Sequence, residues 1–232
     1  MRIVTPDETQ INRVGNFQDL VSTPFQGGVH AICWPRTLAG DFEEILNQVA
    51  QTENIVELDE EQLLELRLST KGQLARDILL HDLKLLKTQG ASPTLNLIHH
   101  YERDDVYPFF PTDVYSFHVD RSPIPTATYL CTYYGAPSEI LPNALAEQKV
   151  LVPEIREELR KLYTGSEQGF ESFLREHFFD LHYRAKPQAV PISLGVGNLW
   201  RLAVDYPNSN VLPCVHRAPL ELTGQSRLLL IC

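Results

Sequence analysis

The spacing of apolar residues changes character near residue 92, and that change limits the folds open to this chain. Upstream the spacing is helical. Residues 38–53 (LAGDFEEILNQVAQTE) carry Leu38, Phe42, Ile45, Leu46 and Val49 at three- and four-residue intervals, with Asp41 near the start. DEEQLLELRL (59–68) and KGQLARDILLHDLKLLKTQGA (71–91) continue in the same mode, the latter with Leu74, Ile78 and Leu85 on one side and Gly90 closing it. Downstream the chain breaks into short β-branched and aromatic runs bounded by Pro, Asp or Gly: 94–101, 113–120, 126–134, 189–195, 198–206, 210–219 and 226–232. A helical insert, 150–187, interrupts them, with Pro153 at a plausible first helical position. Helices beside many short strands predict an α+β fold, one domain spanning 1–232. Its 1–93 region is expected to be helical and to pack on a β core formed by 94–232. Closing so many strands into a double-stranded β-helix, a jelly-roll or cupin-like core, would remove their open edges.

Length and composition narrow the functional classes. A chain of 232 residues, 43% apolar and 22% charged, can bury a full core without disulfides or a structural metal. A formal charge of −10 with no Lys/Arg cluster argues against nucleic acid as a partner. No apolar run approaches a membrane span, and MRIVTPDETQINRVGNF lacks the apolar centre of a secretory signal. Cys33, Cys131, Cys214 and Cys232 sit in or beside apolar runs with no C-x-x-C spacing, which reads as reduced thiols in the cytoplasm. Oligomeric state is left open.

Chemistry concentrates in SFHVDRSPIP (116–125). On extended backbone His118 and Asp120, two apart, face the same side and offer two ligands to one ion. Composition alone yields a His-x-Asp roughly 0.4 times in such a chain, so the surroundings must carry the case. A third ligand, His216, is available near the C-terminus. Two imidazoles and a carboxylate on one face leave positions open, the facial triad suited to non-haem Fe(II) and O2. Zinc accepts the same three ligands.

The order of these residues resembles that of jelly-roll oxygenases using 2-oxoglutarate: His-x-Asp, a Gly-started strand (Gly197-Asn198-Leu199), a distal His, and a basic residue about ten positions on. Arg227 stands 11 positions beyond His216. That resemblance implies Fe(II), 2-oxoglutarate and O2 as cofactor and cosubstrates. Arg227 would grip the distal carboxylate through its planar fork, and Tyr129 or Thr132 on the 126–134 strand would add a hydrogen bond. FHVDRSPIPTATYLCTYYGAPSEILPN, VHRAP and SRLLLIC, with GVHAICWPR upstream, also resemble the bacterial domain-of-unknown-function 1826 family over most of 27–143 and 195–231. This chain has Ala218 where that family usually has Ser, and GAPSEIL for a Gly-Pro-Gly-Thr-Glu-Trp-like run. The 1826 family itself supplies no activity; the oxygenase-like order implies an iron-dependent oxygenase acting on a small molecule or peptide. The alternatives are an Fe(II) oxidase or oxygenase whose substrate itself chelates the metal, and a non-catalytic metal-binding module.

Other polar residues have competing roles. Arg121 either binds an anionic substrate or faces solvent, and Glu139 either caps a loop or reaches the pocket mouth. Arg217, adjacent to His216, should face the opposite side. His99 and His100 with Glu102 are a weaker metal candidate, because no Gly-started strand, distal His and Arg follow them in the expected order. His177, Asp180 and His182 in REHFFDLHY read either as a polar rim on an aromatic packing segment or as pocket lining near the metal. The chain lacks G-x-S-x-G, a P-loop and a dinucleotide fingerprint.

Overall fold

The computed structural model describes residues 9–49, 53–104, 106–220 and 224–232; the end expected for the 38–53 helix, at 50–52, lies outside them. The fold is α+β, with two curled, largely antiparallel sheets and six α-helices among the described residues. The N-terminal region contributes β1 (Ile11–Arg13), α1 (Phe17–Ser22), β2 (Ala31–Trp34), α2 (Phe42–Gln48), β3 (Ile55–Leu58), α3 (Glu60–Glu65) and α4 (Thr70–Thr88). Then come β4 (Thr94–Ile98), β5 (Phe117–His118), β6 (Ala127–Tyr134), β7 (Glu139–Ile140) and β8 (Ala146–Gln148). The insert holds α5 (Pro153–Leu162), α6 (Phe170–Glu176) and β9 (His182–Ala185); β10 (Ile192–Ser193), β11 (Leu199–Ala203), β12 (His216–Arg217) and β13 (Arg227–Ile231) complete the chain. No described helix is long and apolar enough to cross a membrane.

The seven-stranded sheet runs β1-β2-β11-β6-β13-β4-β3, and the six-stranded sheet runs β10-β7-β12-β5-β9-β8. The β1–β2 pair is parallel and the other strand pairs are antiparallel. Alternation along β6 and β13 sorts their side chains to two sides. Leu130 and Leu229 join Ile140, Ile192, Trp200 and Cys214 in a core drawn from both sheets. Cys131, Tyr133, Leu228 and Leu230 face the other way, packing with Ile45, Leu79, Leu83 and Leu86 of α2 and α4. The helices therefore cover one face of the seven-stranded sheet, and its other face looks toward the six-stranded sheet.

Local chemistry sets the helix ends. The Ser69 hydroxyl accepts from Gly72 N–H at the start of α4, and Gly90, at φ 80°, turns the chain out of it. Asp41 caps α2 by accepting from Glu44 N–H, and Pro153 opens α5.

Several expectations need correction. The 1–93 region is not purely helical: β1, β2 and β3 belong to the seven-stranded sheet. The 150–187 insert ends in β9, which pairs with β5. The 113–120 and 210–219 runs form only two-residue ladders, β5 and β12. The buried side of α4 carries Ala75, Leu79, Asp82, Leu83 and Leu86, while Leu74 is exposed. Asp82 turns that face inward because it pairs with Arg36 and accepts from the Tyr133 hydroxyl.

Candidate metal centre

His118 on β5 stands opposite His216 on β12, and both imidazoles lie on one side with ring centroids 4.6 Å apart. Beyond β5 the chain stays pinned. Val119 N–H donates to the Leu181 carbonyl at 3.1 Å, and the Asp120 carbonyl accepts from Asp205 N–H at 2.8 Å. Asp120, two residues past His118, falls on the same side, its Oδ2 3.7 Å from His216 Nε2. One ligand atom from each of the three lies within 4.8 Å of the others, so the expected trio converges.

The hydrogen bonds around the trio determine which atoms face it. His118 Nδ1 lies 2.8 Å from the Ser116 carbonyl, and His216 Nδ1 lies 3.1 Å from the Cys214 carbonyl. A carbonyl only accepts, so each neutral imidazole carries its hydrogen on Nδ1 and presents the Nε2 lone pair. The Thr128 hydroxyl donates to Asp120 Oδ2 and orients the carboxylate. This is the supporting shell a metal site needs: each ligand has a partner fixing its direction.

Electrostatics favours the ligating forms. Burial, then the neighbouring His216, lowers the His118 pKa to about 4. Burial alone would raise Asp120, but His216, the Thr128 hydroxyl and His118 together hold it below its ordinary value. At neutral pH a carboxylate and a neutral His118 therefore meet, both in the form that binds a cation.

Comparison with family models, with curated proteins and with solved structures found no match.

A second polar group lies further along the inner side of β6. Arg227 is buried, and its Nη2 donates to the Ser138 hydroxyl at 3.1 Å and the Thr132 hydroxyl at 3.4 Å. Thr132 is four residues from Thr128, on the order of 13 Å along the strand. Gly135, at φ 83°, lets β6 pass close to β13 here; a Cβ would run into the Ser226 carbonyl.

The other expected residues go elsewhere. Tyr129 shares the side of Cys131 and Tyr133 and packs against the helix-side core, away from Thr132. Arg121 is engaged by Asp205 at 2.8 Å and Asp180 at 2.5 Å, a strap between the loops after β5 and β11. Glu139 pairs with Arg217 at 2.7 Å, across the register that puts Ile140 opposite His216, so both charges lie on the side away from the histidines. His99 Nδ1 bonds the Ser226 hydroxyl at 2.9 Å, and His100 is exposed. His177 is exposed too and lies against Phe173, ring centroids 4.6 Å apart.

His182 is brought beside the trio. It is buried opposite His118 on β9, ring centroids 5.9 Å apart, with Nδ1 3.3 Å from the Ser116 hydroxyl. Burial, then His118 and Lys149, lowers its pKa to about 3. Ser116, Ser138 and Lys149 were not anticipated. Ser116 and Ser138 abut the singled-out His-x-Asp run and Glu139, a weak signal at best.

Proposed function

We propose that this chain is a non-haem Fe(II) oxygenase that uses 2-oxoglutarate, with His118, Asp120 and His216 as metal ligands. One observation carries the reading: both imidazoles commit Nδ1–H to their own chain and aim Nε2 lone pairs where Asp120 aims its carboxylate. Three ligand atoms within 4.8 Å of one another, each held by a partner of its own, suit a divalent cation placed between them. Two His and one carboxylate suit iron with positions left open.

The strand order supports a jelly-roll core. In chain order β4, β5, β6, β7, β10, β11, β12 and β13 alternate between the sheets except at β7–β10. They give the four-strand orders β4-β13-β6-β11 and β5-β12-β7-β10, the pattern of a double-stranded β-helix. Arg227, flanked by Thr132 and Ser138, suits the distal carboxylate of a five-carbon diacid whose other end lies at the metal. Thr128 keeps Asp120 oriented. Bound iron, with 2-oxoglutarate and O2, supplies the oxidising chemistry. A small molecule or peptide is the substrate class. Four cysteines outside any disulfide, three of them buried, support a reducing, cytoplasmic setting.

The test is metal content after anaerobic purification, then 2-oxoglutarate titration of the visible charge-transfer band of the Fe(II) form. One iron per chain and saturable 2-oxoglutarate binding are expected. Arg227→Leu should weaken that binding about ten- to a hundredfold. Binding that survives the substitution removes Arg227 from the site. Iron without 2-oxoglutarate binding favours a substrate-chelating oxidase or a non-catalytic metal module, and bound zinc with no iron favours the module.

A further inference from the structure

Three imidazoles stand in one row across the six-stranded sheet, since His182 on β9 is opposite His118 on β5 and His118 is opposite His216 on β12. Directly opposed residues present their side chains to the same face. Yet only two of the three join Asp120 in a ligand-sized cluster. Ser116 accounts for the difference. Its backbone carbonyl takes the Nδ1–H of His118, while its hydroxyl lies 2.7 Å from Lys149 Nζ and 3.3 Å from His182 Nδ1.

The directions of these bonds follow from the inventory of donors. An ammonium only donates, so Lys149 occupies a lone pair of the Ser116 hydroxyl. Lys149 remains largely protonated at neutral pH although burial lowers its pKa to about 8. It is held further by the Pro111 carbonyl at 3.2 Å and the Phe110 ring at 4.9 Å. The hydroxyl keeps a second lone pair, but among the described residues its hydrogen has no acceptor other than His182 Nδ1. The arrangement that satisfies both groups therefore has Ser116 donating to His182. A neutral imidazole that accepts at Nδ1 carries its hydrogen on Nε2. One serine thus sets two adjacent histidines in opposite tautomers: His118 offers a lone pair, and His182 offers an N–H. Among the described residues, no hydrogen bond is made by His182 Nε2.

We propose that His182 is the hydrogen-bond donor to an anionic or carbonyl oxygen-type ligand bound beside the His118/Asp120/His216 centre, kept in that role by the Lys149–Ser116 relay. The ligand class is a small acceptor, such as the carboxylate or carbonyl of a substrate or cosubstrate. This role rests on the metal reading above, and it deepens that reading by separating the residues that hold the ion from the one that reads what the ion binds.

The experiment uses the full chain loaded with Co(II), whose visible d–d bands report both occupancy and the open positions, with azide as the anionic probe. Azide affinity should fall about ten- to a hundredfold in His182→Phe, the value of a hydrogen bond to a charged acceptor. Co(II) affinity should stay close to wild type. His182→Gln, which restores an N–H, should recover most of the azide affinity, a rescue that packing alone would not give. Unchanged azide affinity in His182→Phe overturns the proposal. So does loss of Co(II) as severe as in His118→Ala, because His182 would then be a ligand. If the Phe variant does not fold, Ser116→Ala decides: azide binding weakened with Co(II) retained supports the relay, and unweakened azide binding rejects it. Failure of the wild-type chain to bind Co(II) at all is a separate result that defeats the metal reading and the donor role with it.

Discussion

The two faces of β6 use buried polarity in opposite ways. On the helix side, Tyr133 donates to Asp82 at 2.6 Å, and Arg36 reaches Asp82 at 2.8 Å, the Gly197 carbonyl at 2.9 Å and Cys131 Sγ at 3.4 Å. Donors there meet acceptors, and the group ties α4 to β6 and to the turn before β11. On the inner side, Thr128 donates to Asp120, but Asp120, His118 and His216 converge as three potential ligands with no Lys or Arg among them. A closed network stabilises because removing any member strands the rest. An open one leaves a place for an external cation to complete it. The contrast separates a structural polar cluster from a candidate site without appeal to position or exposure.

If that distinction is right, the largest effect comes from breaking the closed network. Asp82→Ala leaves Arg36, whose side chain is 9% exposed, as a buried charge without its carboxylate. A loss of about 3–5 kcal/mol of stability is expected by urea unfolding. Cys131, whose pKa burial raises to about 12, should resist alkylation at pH 8 in the wild type and react in the variant. A loss below 1 kcal/mol would put the network among the weak surface pairs and erase the comparison.

Breaking the open network should cost metal binding more than stability. His216→Ala should lower metal affinity by more than the hundredfold that bounds the effect of supporting partners. Metal-free stability should fall by less than in Asp82→Ala, since Asp120 keeps the Thr128 hydroxyl and no buried charge is left without a partner. His100→Ala, on an exposed side chain, should leave metal affinity near wild type. Equal losses from His100→Ala and His216→Ala, read by calorimetric titration, would sink the ligand assignment. Next in size is Thr128→Val, which removes the hydroxyl holding Asp120 while keeping a β-branched strand residue. Metal affinity should drop about ten- to a hundredfold. No drop would mean that the hydroxyl is packing and not support.

What the sequence revealed depended on whether a signal was local or ordered. His118 and Asp120 share a face because extended backbone has period two, so their pairing was legible; His216 and Arg227 were legible from order along the chain. Tyr129 and Thr132 were offered as alternatives; alternation puts only Thr132 on the side of Arg227, and Tyr129, one step out of phase, faces the helices. His182 read as either a polar rim residue or pocket lining, and the sequence could not choose between them. Its partnership with His118 comes from the β5–β9 register, bridged by a 64-residue separation that no periodicity crosses. Arg36 and Asp82 were invisible for the same reason, being 46 residues apart. That hidden pair also misled the reading of α4, where Leu74 was expected inside and Asp82 was not. The β1, β2 and β3 strands were missed because each is three or four residues long, too short for alternation to register against the flanking helices.

The smallest effect tests the register on which the whole comparison rests. Glu139 and Arg217 were candidates for the pocket, and they sit one residue away from Ile140 and His216 on neighbouring strands. Period two sends them to the opposite side, where Arg217 bonds Glu139 through Nε at 2.8 Å and Nη2 at 2.7 Å and lies 4.3 Å over the Phe117 ring. Their side chains are 30% and 21% exposed, so solvent screens the pair and it should contribute no more than about 1 kcal/mol. Glu139→Gln should therefore lower stability slightly, by an amount that shrinks in high salt, and should leave metal affinity unchanged. The measurement is sharp because a one-residue slip between β7 and β12 would exchange the roles: Glu139 would then stand opposite His216 on the inner side. A tenfold or greater loss of metal affinity in Glu139→Gln would mean that the slipped register is the real one. The row His182–His118–His216 would then have to be redrawn before any of the larger effects could be interpreted.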